Sequence, residues 1–463
     1  MSKNCAVILA AGEGTRMKAN YSKVLTNVLF KPMIDWVADA VTNSGIDKEN
    51  VCIITGHTGE LVREHMGSDY NYAEQKQRLG TGHAVMQAVD FIKNSGADNV
   101  LVLNGDAPLI DEVTIENSLE QHILSKSAVT VVSACIERPF GYGRIIRDCE
   151  GNLKKIVEQR DATEQEKQIN EVNSGVYWFS SKELLYALEN LKSENDQGEY
   201  YLTDTIEMIK NIGGRASAFI TDNSSVILGA NDRVQLMELN EIARKEVLFS
   251  IMSSGVDIPC IDGVIICKGI SVGVGTTILP NTILRGKTTV GQNCTLGPNC
   301  LIENSQIKDD VKLSNVQMED SIIGNGADAG PFVHIRPNSN IGENVHIGNF
   351  VEVKNSVLGK GTKLPHLSYI GDSDIGQNVN FGCGSLTVNY DGKTKSRTTV
   401  KDNAFIGCNT NIVAPVTVGE YSYIAAGATI TQDVPEFSLS IARARQVNKE
   451  GWVKERKPFK NMD

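Results

Sequence analysis

The chain has 463 residues, room for about three ordinary domains or two large ones. Its 45 Lys and Arg against 56 Asp and Glu give a formal charge of −11, which excludes the basic stripe of a general nucleic-acid binder. Hydrophobic residues at 41% and charged residues at 22% exclude wholesale disorder, and no apolar run approaches the ~20 residues of a membrane helix.

The segment after Met1 has no basic stretch, apolar core and cleavage site of a secretory leader, so a cytoplasmic protein is expected. Ala6-Val7-Ile8-Leu9 reads as a buried strand. Pro32 opens a helical pattern with Ile34, Val37, Ala38 and Val41 on one side, stopping near Gly45. Val51-Cys52-Ile53-Ile54 and Val100-Leu101-Val102-Leu103 are further strands. Unbroken apolar runs mean strands covered on both faces, so residues 1–230 are expected to form a mainly parallel, doubly wound α/β domain of Rossmann-like type. Residues 231–253 read as one long connecting helix, capped by Asp232 and followed by Gly255. The ten cysteines include no Cys-x-x-Cys pair and the histidines no His-Glu-x-x-His, so free thiols and no zinc site are expected.

From 254 to 463 the texture changes. Aliphatic residues recur every six positions: Val272, Ile278, Leu284, Val290, Leu296, Ile302; then Ile335, Ile341, Ile347, Val353; then Ile406, Ile412, Val418, Ile424, Ile430. Neither a helix nor an ordinary strand has that period, whereas the hexapeptide-repeat parallel β-helix does. The frame breaks between Ile302 and Ile335 and between Val353 and Ile406, and a loop leaving the solenoid is expected over 384–393. The tail after Gln446 is polar and locally basic (Lys454, Arg456, Lys457, Lys460), which suits a surface segment or short helix.

Leu9-Ala10-Ala11-Gly12-Glu13-Gly14-Thr15-Arg16-Met17 follows the first strand directly. Its glycines let the backbone approach phosphates, and Arg16 and Lys23 supply positive charge. It is neither a Walker loop nor a dinucleotide fingerprint. Leu79-Gly80-Thr81-Gly82-His83-Ala84, with Gln75, forms a second small-residue loop suited to a base edge. Asp106 ends a strand at the sheet edge where open α/β folds bind ligands, and it could hold Mg²⁺ or cap the next helix. In the repeat half, Arg336 and Lys354 are separated by one full coil of three hexapeptides and could grip one phosphate; otherwise they form a solvated ridge. His366 follows, and a neutral imidazole beside phosphate cations suits a general base for an amine.

Leu-Ala-Ala-Gly-x-Gly-Thr-Arg-Met, Lys23-Val24-Leu25, Gly80-Thr81-Gly82-His83-Ala84 and Gly105-Asp106-Ala107-Pro108-Leu109 resemble the sugar-nucleotidyltransferases. Further motifs narrow the match: Gly141-Tyr142-Gly143-Arg144-Ile145, Ile156-Val157-Glu158, Asn173-Ser174-Gly175 and Gly198-Glu199-Tyr200-Tyr201-Leu202-Thr203-Asp204. With them, the chain is similar over nearly its whole length to the bifunctional N-acetylglucosamine-1-phosphate uridyltransferase / glucosamine-1-phosphate N-acetyltransferase family, whose β-helix is left-handed. That resemblance implies a peptidoglycan-precursor enzyme using UTP, acetyl-CoA and Mg²⁺, assembled as a homotrimer, with no nucleic-acid partner and no membrane insertion. It also implies uridine-nucleotide contacts from Leu9, Ala10, Ala11 and Gly12, uracil contacts from Gln75, Gly80 and Thr81, and triphosphate contacts from Arg16 and Lys23. Gly143, Glu158 and Asn173 would hold the sugar, and Asp106 and Asn231 the metal. His366 would be the acetyl-transfer base. Arg336, Lys354, Tyr369, Asn380 and Lys395 would bind glucosamine 1-phosphate. Cys383, Asn389, Tyr390, Cys408, Ala426 and Arg443 would border acetyl-CoA. Two positions depart from the family pattern: Ser22 stands where Pro is usual, and Asn104 where some members have Tyr. The sequence also admits a nucleotidyltransferase whose β-helix only oligomerises or regulates, and a non-enzymatic scaffold subunit.

Overall fold

The computed structural model of the protein describes residues 3–12, 22–57, 59–193 and 198–458. The phosphate-loop residues Glu13, Gly14, Thr15, Arg16 and Met17, and Lys460 in the tail, lie outside the described residues. The chain divides into two compact units, Met1–Glu246 and Val247–Asp463. A long helix, Arg233–Ser253, runs across that division. Asp232 Oδ1 accepts from the amides of Val234 and Gln235 at 2.9 Å each, the cap that the sequence suggested, and Gly255 follows in the left-handed region.

The first unit is built on a twisted sheet. Its strands run in the order Ala216–Ile220, Val129–Cys135, Glu171–Ser180, Asn99–Asn104, Asn4–Ala10, Val51–Thr55, Asn71–Glu74. Ala6, Val7, Ile8, Ile53 and Leu101 are wholly buried, because helices cover both faces of these runs. The sheet is less uniformly parallel than the apolar runs suggested. Glu171–Ser180 lies antiparallel to both of its neighbours, and Arg144–Arg147 with Leu153–Val157 adds an antiparallel hairpin. The strands Asn4–Ala10, Val51–Thr55 and Asn99–Asn104 are mutually parallel, so their C-terminal ends form one rim.

The second unit is a left-handed parallel β-helix. The hexapeptide series points inward: Ile278, Leu284, Leu296, Ile302, Ile335, Ile341, Ile347, Val353, Ile406, Ile412, Val418 and Ile424 are fully buried, and Val272 at the first coil is half-buried. Burial of each such side chain is worth about 1.5–3 kcal/mol, so the stacked column holds short strands together without a helix layer. The first expected break does not interrupt the solenoid. Leu301 stacks on Gln317 and Gln317 on His334, so slightly shortened coils absorb the change of frame. At the second break, Leu386–Val388 stays in the wall, paired with Tyr369 below and Asn411–Val413 above. Only the segment 389–397 leaves the wall, because Ser373 stacks directly on Thr398 and the excess of that coil is thrown outward. The loop therefore starts later than expected, since Leu386, Thr387 and Val388 continue the ladder.

One corner of the solenoid carries a column of left-handed residues. Asn281, Asn299 and Asn315 come first, with side-chain amides hydrogen-bonded from coil to coil at 3.0 Å. The same corner is then occupied by Phe332, Phe350 and Leu367, and after them by Gly384, Asn409 and Gly427. Asn and Gly suit positive φ, whereas bulky apolar residues there are outliers. Phe332 and Phe350 stack at 5.4 Å and, with Leu367, are more than half exposed. In the tail, Trp452–Arg456 forms a short exposed helix.

Candidate functional site

The rim of the first sheet carries one candidate site. Ala11 and Gly12 follow the strand Asn4–Ala10, and Asp106 follows the strand Asn99–Asn104. Asp106 does not cap the next helix: Glu112–Leu124 is capped by Asp111, which accepts from the Thr114 amide at 2.6 Å. Instead Asp106 pairs with the buried ammonium of Lys23, which also donates to Asn231 Oδ1 at 2.8 Å. The two expected metal ligands therefore converge on one point, held here by a cation of the chain itself. A carboxylate and an amide oxygen suit a hard divalent ion that completes its shell with substrate oxygens and water. Among the described residues no cluster of three or more His, Cys, Asp or Glu forms, and an ion held largely by phosphates does not need one.

A cavity of about 310 Å³ is lined by Leu9, Ala11, Gly12, Lys23, Gln75, Gly80, Thr81 and Asp106, with Arg78, Glu199 and Tyr201 closing its side. Gln75 is buried, and its Nε2 donates to the Gly80 carbonyl at 3.0 Å, which turns its own carbonyl oxygen the other way. Thr81 Oγ1 accepts from the Leu202 amide at 3.1 Å, tying the second loop to the segment that contains Tyr201. A neighbouring cavity of about 390 Å³ shares Leu9, Thr81, Asn104 and Tyr201 and adds Glu158, Asn173 and Tyr177. Asn173 Nδ2 donates to the Tyr177 hydroxyl at 2.6 Å, and its amide donates to Gly143 O at 2.9 Å. Burial, then Asp161 and Asp204, pushes the Glu158 carboxyl above the usual range. Asn104 packs so closely on Gly175 (φ +78°) that a Cβ there would come within 2.3 Å of its Nδ2. Ser22 is buried at the start of the short turn Lys23–Leu25.

The second candidate site is made by stacking. Arg336 and Lys354 occupy equivalent positions on successive coils, as their spacing required, since Ile335 pairs with Val353. Arg336 donates to Glu352 Oε1 at 2.8 Å. Lys354 lies against Lys395 from the outer loop, and that neighbouring ammonium holds the Lys395 amine below its usual range. Asp372 is close enough to feel both charges. Burial would raise its carboxyl, but hydrogen bonds from Asn355 and Asn389, with Lys354 and Lys395, lower it overall. Asn389 also donates to the Tyr369 hydroxyl at 3.4 Å, so its side chain joins the cation cluster. Asn380 does not join them. It is in register with Lys363 and Phe405, on the preceding side of the coil.

His366 lies on a corner column. It is paired with Asn349 one coil below, and its Nδ1 is 3.3 Å from Asn349 Oδ1. The pairings Lys363–Asn380, Phe381–Ile406 and Ile406–Ile424 carry the same column through Cys383, Cys408 and Ala426. Arg443 comes against Gly427 at the next position, and Tyr390 stands exposed on the outer loop, its hydroxyl donating to Gly392 O at 2.7 Å. Sequence reasoning missed Asn349, Glu352 and Asp372. The coil spacing that linked Arg336 to Lys354 also links Asn349 to His366, on a slightly shorter coil, so column arithmetic could have found the first.

A doubly wound sheet with a Lys23–Asp106–Asn231 rim, joined to a hexapeptide solenoid with a cationic outer site, defines a nucleotidyltransferase fused to a hexapeptide-repeat transferase. The nucleotidyl transferase family model matches residues 5–230, and the bacterial transferase hexapeptide model matches 397–432. The chain is 47% identical to the bifunctional protein GlmU of Acetivibrio thermocellus, covering 97% of this chain and 96% of that one. It is 48% identical to that of Geobacillus sp. (strain WCH70), covering 98% of each. It is 45% identical to that of Listeria monocytogenes serotype 4a, covering 98% of this chain and 99% of that one. The chain belongs to the GlmU family of bifunctional enzymes.

Proposed function

We infer that this chain makes UDP-N-acetylglucosamine in two steps at two sites. Acetyl-CoA N-acetylates glucosamine 1-phosphate on the β-helix, and UTP then uridylylates the product on the α/β unit. The observation that carries this reading is that one chain holds both a Lys23–Asp106–Asn231 cation point and, on the solenoid, a Lys354–Lys395 pair as well as the His366 column. A β-helix serving assembly alone would leave two ammonium groups crowded together with only Asp372 to relieve them.

At the rim, a phosphate oxygen of N-acetylglucosamine 1-phosphate attacks the α-phosphorus of UTP, and the bond to pyrophosphate breaks. Such transfer depends on positioning and charge neutralisation. Lys23 and Arg16 neutralise the triphosphate. Asp106 and Asn231 would hold Mg²⁺, which supplies further neutralisation of phosphate charge when bound. Gln75 presents a carbonyl oxygen, an acceptor for the N3–H of uracil that cytosine lacks. Leu9, Ala10, Ala11, Gly12, Gly80 and Thr81 enclose the nucleotide. Gly143, Glu158 and Asn173 take the sugar, whose N–H and O–H donors would relieve the buried Glu158 carboxylate.

On the solenoid, Nδ1–H of His366 donates to Asn349, which leaves Nε2 with the lone pair to take a proton from the glucosamine ammonium. The amine attacks the acetyl-CoA thioester, and CoA leaves as a thiol. Arg336, Lys354, Tyr369 and Lys395 take the sugar phosphate. Cys383, Cys408, Ala426 and Arg443 border the acetyl donor along the corner, with Asn389 and Tyr390 beside them. Asn380 faces another side of its own coil and reaches this site from a neighbouring copy. That incompleteness, with the exposed Phe332–Phe350–Leu367 ridge, supports the trimer. Among the described residues no helix is long and apolar enough to cross a membrane, which is in keeping with a cytoplasmic enzyme.

The test measures both reactions on one sample: thiol release from acetyl-CoA with glucosamine 1-phosphate, and pyrophosphate release from UTP with N-acetylglucosamine 1-phosphate. Both are expected. Absence of thiol release would reduce the β-helix to an assembly module.

A further inference from the structure

We propose that Cys383 and Cys408 are an oxidisable dithiol, and that joining them as a disulfide shuts the acetyl-transfer site while uridylyl transfer continues. Both carry free thiols, Cys383 half-buried and Cys408 exposed. The outer loop separates them in sequence, yet the Phe381–Ile406 pairing sets them in register on adjacent coils. The coils are tight here. The Gly382 amide donates to Ile406 O at 2.7 Å and the Asn409 amide to Cys383 O at 2.7 Å. A Cβ on Gly382 would stand 2.9 Å from Cys408 Cα, so glycine is what permits the approach.

Adjacent hydrogen-bonded strands lie about 4.8 Å apart, inside the ~4.4–6.8 Å between Cα atoms that a disulfide spans. Side chains in this column face the same way and reach one another, as His366 reaches Asn349. A disulfide holds its Cβ atoms about 3.5–4.5 Å apart, less than the strand spacing, so the two coils must draw together slightly, in the column between His366 and Ala426. Cys135, Cys149 and Cys260 are also exposed, so it is register and not exposure that singles out this pair; four buried thiols differ further. Burial pushes Cys5 up to about 11 and Cys52 up to about 12, and raises Cys294 and Cys300, so these stay protonated and inert.

The oxidant is a hydroperoxide. One cysteine sulfur attacks a peroxide oxygen and becomes a sulfenic acid as water leaves. The second sulfur attacks that sulfur, forming the S–S bond and releasing a second water. Two thiols lose two protons and two electrons, and one hydrogen peroxide is reduced to two waters. The effect on acetyl transfer rests on the reading that this corner borders acetyl-CoA.

The experiment treats the full chain with hydrogen peroxide, alkylates remaining thiols, and maps peptides by mass spectrometry without reduction. A linked pair containing Cys383 and Cys408 is expected. Acetyl transfer should fall about ten-fold or more and return with dithiothreitol, while pyrophosphate release from the same sample holds. Cys383→Ser and Cys408→Ser, each compared with its own untreated rate, should lose the sensitivity. No linked peptide in the wild type overturns the proposal, even if a serine variant is inactive. Equal peroxide sensitivity in both serine variants also overturns it. A linked peptide with acetyl transfer undiminished would overturn the shut-off and, with it, the placement of acetyl-CoA at this corner.

Discussion

The two candidate sites are assembled in opposite ways. At the rim of the sheet, several functional groups are delivered by short runs directly after strands. Ala11 and Gly12 follow one strand and Asp106 another, and their partners Lys23 and Asn231 come from far along the chain. On the solenoid, no run makes the site. His366, Cys383, Cys408 and Ala426 are neighbours only because coils stack in register. The first kind of site survives a change of length between motifs. The second survives only if each coil keeps its register, by losing no more than a residue or two at a corner or by throwing any excess outward, as the segment 389–397 does.

The comparison breaks most visibly if one substitution silences both reactions. His366→Ala is expected to lower acetyl transfer about a thousand-fold with uridylyl transfer unchanged, by the worth of a general base. Asp106→Asn should lower uridylyl transfer about a hundred-fold or more and spare acetyl transfer, measured as pyrophosphate against thiol release. Lys23→Met sharpens the same point, because the ammonium competes for the oxygens that a cation needs. Without nucleotide it should bind Mn²⁺ more tightly than wild type by electron paramagnetic resonance, and equal affinity would separate the lysine from the metal ligands. Smaller still is Phe350→Asn, which replaces a strained left-handed phenylalanine by the residue used lower on that corner. It should stabilise the isolated chain by about 1 kcal/mol and weaken assembly, read by calorimetry and sedimentation.

The smallest effect is on stability near Glu158. Because the folded carboxyl holds its proton to higher pH than the unfolded one, stability falls as pH rises through the folded value. Glu158→Gln removes that dependence. Its melting temperature should slightly exceed wild type at pH 7 and match it at pH 4, while KM for the sugar phosphate rises. A lower melting temperature at pH 7 would mean that the carboxylate is already satisfied.

Much of this was legible in the sequence. The hexapeptide series located the solenoid interior residue by residue, because one side chain per hexapeptide must fill a narrow core. At the rim, Gly12 and Asp106 were legible because each closely follows an apolar strand. The antiparallel strand Glu171–Ser180 was not, since its apolar run reads the same in either direction. Nor were the shortened coils between Leu301 and His334, because a small deletion at a corner shifts the apparent frame while leaving the inward column intact. Asn349 and Asp372 escaped because their roles come from stacking and carry no local pattern.

The corner that passes from asparagine to phenylalanine and leucine and back to glycine and asparagine has a further consequence. A solenoid made of near-identical turns has little to stop a second copy from sliding along it by one turn. On this corner, the coils bearing Phe332, Phe350 and Leu367 carry an apolar ridge, bounded on both sides by polar or bare positions. A copy seated there has a single height at which greasy surface meets greasy surface. In the trimer proposed above, that ridge would set axial alignment between chains, and with it which coil of one molecule would stand opposite the imidazole of another.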